Sequence, residues 1–474
     1  MNTPIEQSNL FGTQSLSTPY GPMAIDNSYP TDDTIKLLYD QRDRQRASEV
    51  YLWALPLVQI QVWKNEQERV YGAQGTDFVI YDSFNEKGGV TTGNATTPYI
   101  ISFLDLTETG AIVVDFPAGK FAGGVLDWWE HPICDLGVTG PDQGQGAKYL
   151  IISPQDDPKQ YEGSEYFVFQ SPTNKIMLGT RVLTPGPEAL EAFKQALKVY
   201  PLGSTPQLAR FIAGLDKPWA ETPPVGLDYF KVLHQAIQNE PVADRDKGFM
   251  AYLTYFGIEN GQPFNPNARL ATLLAQGATL GELLARANIM EPDFTKPYWH
   301  GTFWYRLIDF PIAQEDETRL YLDERSAWFY EAITTSKGMK TETPGVGQVY
   351  LSTKRDKDGQ VLRGGETYRL TVPANAPMEQ FWAVTIYGEH SRIFVRTDQM
   401  NANLDSRNAQ LQTNADGSVD IYFGPNSAQI PAGLERNWLK TNPDEGWFPY
   451  FRLYAPKQAF FEKSWALGDI ERVR

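Results

Sequence analysis

Two of the chain's four histidines stand in the same local setting: Glu130-His131 follows Trp128-Trp129, and Glu389-His390 follows Tyr387-Gly388. A carboxylate beside an imidazole can orient it or raise its pKa, which prepares a general base or a metal ligand. Adjacent strand residues point to opposite faces, so a surface histidine at a strand end is the competing reading for each pair. Taken as chemistry, Glu130, His131, Glu389 and His390 are the candidate acid–base groups of a hydrolase-like, cofactor-independent enzyme. Tyr99, Trp128, Trp129 and Trp382 are candidates to line an aromatic cleft for a small, partly apolar, neutral or cationic molecule, with Arg392 as a further contact. The alternative is a non-catalytic, lectin-like sandwich that stacks a sugar or aromatic ligand on the same rings. Arg392, Arg396 and Arg452 fall on predicted strands and can clamp a carboxylate, internal pairing with Asp or Glu being the commoner role.

The remaining motifs read as structure. Gly140-Pro141-Asp142-Gln143-Gly144-Gln145-Gly146 enters a strand rather than a helix and lacks a Walker lysine, so it is a tight loop and not a phosphate cradle. Asn414-Ala415-Asp416-Gly417-Ser418 reads as a β-turn, and Asp356-Lys357-Asp358-Gly359 as a hairpin loop without the other EF-hand ligands. No Gly-x-Ser-x-Gly elbow, His-Glu-x-x-His helix or dinucleotide fingerprint is present. The single cysteine, Cys134, excludes an intrachain disulfide and a multi-Cys zinc site, and is read as a packed side chain rather than a nucleophile. The expectation is no organic cofactor and at most one weakly held Ca²⁺ or Mg²⁺, with Asp142, Asp356 or Asp358 as oxygen ligands.

These residues need elements to hold them, and 474 residues allow two or three domains. Residues 1–30, rich in Asn, Ser, Thr, Pro and Gly, read as a flexible arm. Thr31-Asp32-Asp33 caps a helical lead-in over 31–70, in which Pro56 is expected to kink or restart the helix. Short β-branched and aromatic runs mark a first antiparallel sandwich over 71–186 (FVIY, YIISFLDL, AIVVDF, GGVLDWW, KYLIIS) and a second over 345–474. Between them, 187–344 carries the i, i+3, i+4 periodicity of helices. The fold class is therefore α+β.

Both sandwiches read as one design written twice. Tyr99–Ser102 lies beside Tyr350–Ser352, Val113–Ala118 beside Arg369–Ala374, Leu126–His131 beside Thr385–His390, Lys148–Pro154 beside Val419–Pro425, and Phe167–Pro172 beside Phe451–Pro456.

Asn94-Ala95-Thr96-Thr97-Pro98-Tyr99, Leu104-Asp105-Leu106 and the Gly140–Leu150 run resemble the bacterial domain of unknown function 1254. Phe381–Tyr387, Asn414–Ser418, Asn437-Trp438, Phe451–Pro456 and Lys463-Ser464-Trp465 resemble its companion, domain of unknown function 1214. The resemblance covers roughly residues 47–474 and implies two jelly-roll-like sandwiches with helices between, often in an oligomer; it implies no reaction. The family's usual Asn-Asp-Thr reads Asn94-Ala95-Thr96 here, and its Tyr-Asp before Thr-Arg reads Tyr387-Gly388 before Ser391-Arg392, so a carboxylate is missing from both places.

Net charge bounds the partners. With 42 Lys+Arg against 58 Asp+Glu, the chain carries −16, which repels nucleic acid and anionic lipid. No run of about 18 apolar residues predicts a membrane span, and the N-terminus lacks a signal peptide's basic and apolar regions, so a cytoplasmic location is expected. Exposed sandwich edges and 12 Trp, more than two modest cores readily bury, predict a homo-oligomer.

Overall fold

The computed structural model describes residues 3–4, 9–184, 186–214 and 217–473, with side chains from residue 9 onward. In chain order the strands and helices begin with β1 (Thr3–Pro4), β2 (Gln14–Thr18), β3 (Gly21–Asp26), β4 (Tyr29–Pro30) and α1 (Asp32–Glu66). There follow β5 (Asp77–Tyr81), β6 (Tyr99–Asp105), α2 (Leu106–Thr109), β7 (Ile112–Phe116), β8 (Phe121–Asp127), β9 (Pro132–Gly137), β10 (Ala147–Ile152), β11 (Phe167–Gln170) and β12 (Lys175–Val182). Next are α3 (Pro187–Ala196), β13 (Lys198–Pro201), β14 (Arg210–Ala213), α4 (Leu227–Ala236), α5 (Lys247–Phe256), α6 (Ala268–Met290), β15 (Tyr305–Arg306) and α7 (Leu322–Glu331). The chain closes with β16 (Gln348–Ser352), β17 (Tyr368–Val372), β18 (Trp382–Gly388), β19 (Asn403–Asp405), β20 (Val419–Gly424), β21 (Trp438–Lys440), β22 (Trp447–Tyr454), α8 (Gln458–Phe461) and β23 (Glu471–Arg472). The fold is α+β. Two units pack separately: Met1–Ala54 with Pro224–Gln238 and Val242–Leu284, and Leu55–Pro223 with Asn239–Pro241 and Ala285–Arg474.

In the first unit, residues that read as a flexible arm form a small sheet, β1-β2-β3-β4. Thr18 pairs with Gly21 across a two-residue turn, and Asn27 and Ser28 take the left-handed backbone (φ 53° and 70°) that returns the chain to β4. The helix start behaves as read: α1 begins at Asp32, with Asp32 and Asp33 in the first turn, where the helix dipole favours anions. The helix runs through Pro56 without a break. Gly277 and Gly281, one turn apart on α6, let that helix touch α1. A Cβ on Gly277 would lie 2.3 Å from Ala47 Cβ, and one on Gly281 would lie 2.6 Å from Tyr51 Cβ.

The second unit holds both sandwiches. The first consists of a six-stranded sheet, β14-β5-β6-β12-β8-β9, and a four-stranded sheet, β11-β10-β7-β13. Ile100, Val125 and Ile176 from one sheet and Val114, Tyr149 and Ile151 from the other fill a single apolar core, as period-2 alternation requires. The second consists of β15-β16-β22-β18-β19 and β21-β20-β17-β23, with the Trp447 ring tilted against Phe423 at 4.6 Å between its sheets. Strand by strand the orders correspond: β6-β12-β8-β9 to β16-β22-β18-β19, and β11-β10-β7-β13 to β21-β20-β17-β23. The outer pairs β10–β11 and β20–β21 are parallel in both sandwiches. Four of the five sequence anchors join corresponding strands. The fifth does not: Phe167–Pro172 lies at β11 and Phe451–Pro456 at β22, whose counterpart is β12, because runs that open on aromatics and end in proline are alike in texture and not in position.

The helical stretch also divides differently from the expected 187–344. Within it, β13 pairs with β7 and β14 with β5, while residues 285–344 belong to the unit of the sandwiches. Local periodicity identifies a helix but not the sheet its neighbours complete.

Candidate functional site

The four predicted acid–base residues occupy two separate turns. After β8, Asp127 closes the first turn: its Oδ1 accepts from Trp129 N (2.8 Å) and His131 N (2.9 Å), and its Oδ2 lies 2.9 Å from His131 Nδ1. The carboxylate that orients His131 is therefore Asp127, not Glu130. Glu130 takes a left-handed backbone (φ 63°) and turns into the protein, where its side chain is fully buried. There Oε2 accepts from Thr334 N at 2.5 Å and Oε1 has no hydrogen-bond partner. Burial pushes the Glu130 carboxyl well above the ordinary range, and the Thr334 N–H opposes that shift. After β18, Glu389 points outward, 42% exposed and paired with Arg286 at 3.0 Å, and His390 is exposed. These four groups do not form one catalytic constellation.

The predicted rings are core residues. Trp128 packs edge-on against Phe103, Trp382 stacks on Phe451, and Trp129 is buried with its carbonyl accepting from Gln314 Nε2 at 3.0 Å. None of the three offers a face for a sugar. Tyr99 is half-buried beneath Arg181, its hydroxyl accepting from Asn94 N at 2.6 Å. Ten of the twelve tryptophans are buried and the other two half-buried, so the single chain covers its tryptophans without a partner subunit.

The loop after the 3₁₀ turn Glu86–Gly89 meets the second sandwich in a buried polar seam. Arg452 on β22 is 2% exposed and donates to Thr385 Oγ1 (3.0 Å), Tyr387 Oη (2.8 Å) and the Thr92 carbonyl (3.1 Å). Tyr387 donates in turn to the Gly93 carbonyl at 2.7 Å, and Asn94 Nδ2 to Tyr454 Oη at 2.9 Å. Thr92 N donates to the Arg392 carbonyl at 2.7 Å, holding a residue that is 3% exposed and whose guanidinium lies 4.0 Å over the Tyr330 ring. Beside it, Glu221 accepts from Thr91 N and Thr91 Oγ1 through one oxygen. Burial pushes the Glu221 carboxyl up to about 8, against the Thr91 hydrogen bonds and the Arg392 charge.

Next to this seam opens a small cleft of about 30 Å³ between the end of α6, the 294–310 segment and α7. Phe294, Leu307, Phe310 and Trp328 form its walls, and Glu331 and Tyr450 lie at its floor. Both floor residues are buried, and Glu331 Oε2 stands 2.7 Å from Lys354 Nζ. Burial, with the Glu331 carboxylate alongside, raises the Tyr450 hydroxyl well above its ordinary value. Burial lowers the Lys354 ammonium, and the Glu331 ion pair opposes it. Sequence reasoning missed all three. The one available signal was an acid inside the aromatic helical run Trp328-Phe329-Tyr330-Glu331.

The loop carboxylates serve their own turns. Asp142 accepts from Gly146 N and Tyr149 Oη, and Asp356 Oδ1 accepts from Asp358 N (3.0 Å) and Gln360 N (2.9 Å). Among the described residues no group of three His, Cys, Asp or Glu is arranged to hold a metal ion, and no helix is long and apolar enough to cross a membrane.

A crystal structure of the VPA0106 protein from Vibrio parahaemolyticus is similar over 91% of this chain and 100% of its own, with a TM-score of 0.55 at 14% identity, a likeness of fold. An uncharacterized protein from Burkholderia cenocepacia aligns over 92% of this chain and 95% of its own, with a TM-score of 0.39 at 12% identity. No curated protein matches. Residues 76–201 match the family described as Protein of unknown function (DUF1254), and residues 347–458 the family described as Protein of unknown function (DUF1214). The chain thus belongs to the proteins that carry a DUF1254 domain followed by a DUF1214 domain.

Proposed function

We propose that this protein binds a small molecule with an apolar body, neutral or cationic, in the cleft over α7. One observation carries the reading: an aromatic-walled opening ends on a buried carboxylate, Glu331, with a hydroxyl beside it. The lining supplies Asp309, Glu324 and Glu331 against one arginine, Arg306, which favours a ligand without negative charge. Thermal-shift and Trp328-fluorescence titrations with aromatic amines, amides and acids test it. Amines or amides are expected to stabilise the protein, and Ala327→Phe, on the cleft wall, to remove the effect. Equal responses from wild type and Ala327→Phe would sink the reading.

Hydrolase-like acid–base catalysis in the same cleft is the second reading, favoured by Glu331 standing between a lysine and a tyrosine, a set able to pass a proton. Its check is ester and amide turnover by Glu331→Gln: binding kept with turnover lost supports catalysis, and turnover unchanged removes Glu331 from it.

We also infer that the two sandwiches are copies of one jelly-roll-like domain. The common strand order and the matching parallel outer pairs support this. A superposition that paired β8 with any strand other than β18 would reject it. Self-association remains a proposal resting on the sheet edges alone, and light scattering at the 53.4 kDa chain mass would reject it.

A further inference from the structure

We propose that Arg392 anchors a second binding site, in the seam between the two sandwiches, for the carboxylate of a small organic acid. Its guanidinium is buried, stacked on Tyr330, and its Nε has no hydrogen-bond partner. Among the described residues no carboxylate lies within ion-pair distance of Arg392 or of Arg452, whose partners are the neutral Thr385, Tyr387 and Thr92. Thr92 joins both arginines, its N–H to the Arg392 carbonyl and its carbonyl to the Arg452 guanidinium, so two uncompensated charges lie buried in one neighbourhood. Arginine does not shed its proton, so such a charge calls for an anion from outside.

The loop is built to hold Arg392 there. Arg392 adopts φ 59°, its N–H bonds to the Gly388 carbonyl, and Thr222 Oγ1 donates to the Ser391 carbonyl at 3.0 Å. Neighbours Glu389 and His390 reach solvent, which puts the guanidinium one residue beneath the surface.

The groups nearby select the anion. Glu221 Oε2 and Glu130 Oε1 are buried and without partners, and burial pushes both carboxyls up, that of Glu221 to about 8. A protonated carboxyl donates one hydrogen bond, which a ligand carboxylate accepts while its other oxygen meets the arginine. Tyr330 next to the guanidinium favours an aromatic or alkyl body.

The probe is benzoate, set against benzamide, benzylamine and inorganic phosphate, by calorimetry and thermal shift at pH 6.5. In Ala327→Phe, whose filled cleft no longer takes amines or amides, benzoate is expected to bind and raise Tm, and benzamide, of the same shape without the charge, not to. Arg392→Met is expected to abolish the benzoate response while raising Tm without ligand, since it removes an unmatched buried charge. Arg392→Lys, which keeps the charge without the planar fork, is expected to weaken binding about tenfold or more, and it decides the matter if the methionine variant does not fold. Equal responses of Ala327→Phe to benzoate and benzamide, or full benzoate binding by the arginine variants, would overturn the proposal; a phosphate response equal to benzoate's would overturn the carboxylate class. Ala327→Phe is expected to leave the benzoate response intact. Its loss in that variant would move the anion to the cleft and overturn the seam site, leaving the cleft reading standing.

Discussion

Glu221 makes the stability of the second unit depend on pH in the direction opposite to that of a salt-bridged carboxylate. Its carboxyl stands at about 8 in the folded protein against 4.5 as a free group. Between these values the folded state keeps a proton that the unfolded chain has released, so stability falls as pH rises and levels off above pH 8. At about 1.36 kcal/mol per pKa unit, the full window is worth about 5 kcal/mol and the part below pH 7 about 3 kcal/mol. Glu221→Gln has nearly the same shape, and its Oε1 can accept the same two Thr91 hydrogen bonds. Urea unfolding of both proteins at pH 5, 7 and 8.5, followed by tryptophan fluorescence, isolates the effect as variant minus wild type. The difference is expected to be small at pH 5 and to grow in favour of glutamine to several kcal/mol at pH 8.5. A difference constant across pH, or one that shrinks, would show that Glu221 is ionised in the folded state and would also remove the protonated donor from the seam.

Lys354→Met leaves the Glu331 carboxylate buried without its cation, an expected loss of about 3–5 kcal/mol by urea unfolding, with Glu331→Gln in the same chain recovering much of it. Gly277→Ala forces a Cβ to within 2.3 Å of Ala47, so the first unit should lose about 1–3 kcal/mol; an unchanged melting curve would mean the two helices separate freely. Burial pushes the Cys134 thiol far above its ordinary value, so it should resist Ellman's reagent in the native protein at pH 8 and react on unfolding.

How far the sequence could be read follows from the range of the forces involved. Alternating β-branched and aromatic runs, glycine-rich turns and the Thr31–Asp33 helix start act within a few residues, so the strands, the start of α1 and the two-sandwich plan were legible. The hairpin at residues 14–26 was not. Its residues are polar and turn-rich, a composition shared with disordered arms, and pairing along the chain decided the matter. Glu130-His131 was legible as a pair but not in its geometry. The left-handed backbone at Glu130 sends the two side chains different ways and leaves His131 to Asp127.

What the sequence by itself determined is the local part: acidity, family, α+β class, and the succession of the main strands along the chain. What only the tertiary structure decided is which polar residues lose their water together. Glu221, Arg392, Arg452 and Thr92 come from four separate segments, and Glu331, Lys354 and Tyr450 from three, and no spacing in the chain relates them. Their chemistry comes from shared burial. Desolvation keeps Glu221 protonated and leaves Arg392 without a counter-charge, and it is a property of the folded neighbourhood rather than of any residue or motif.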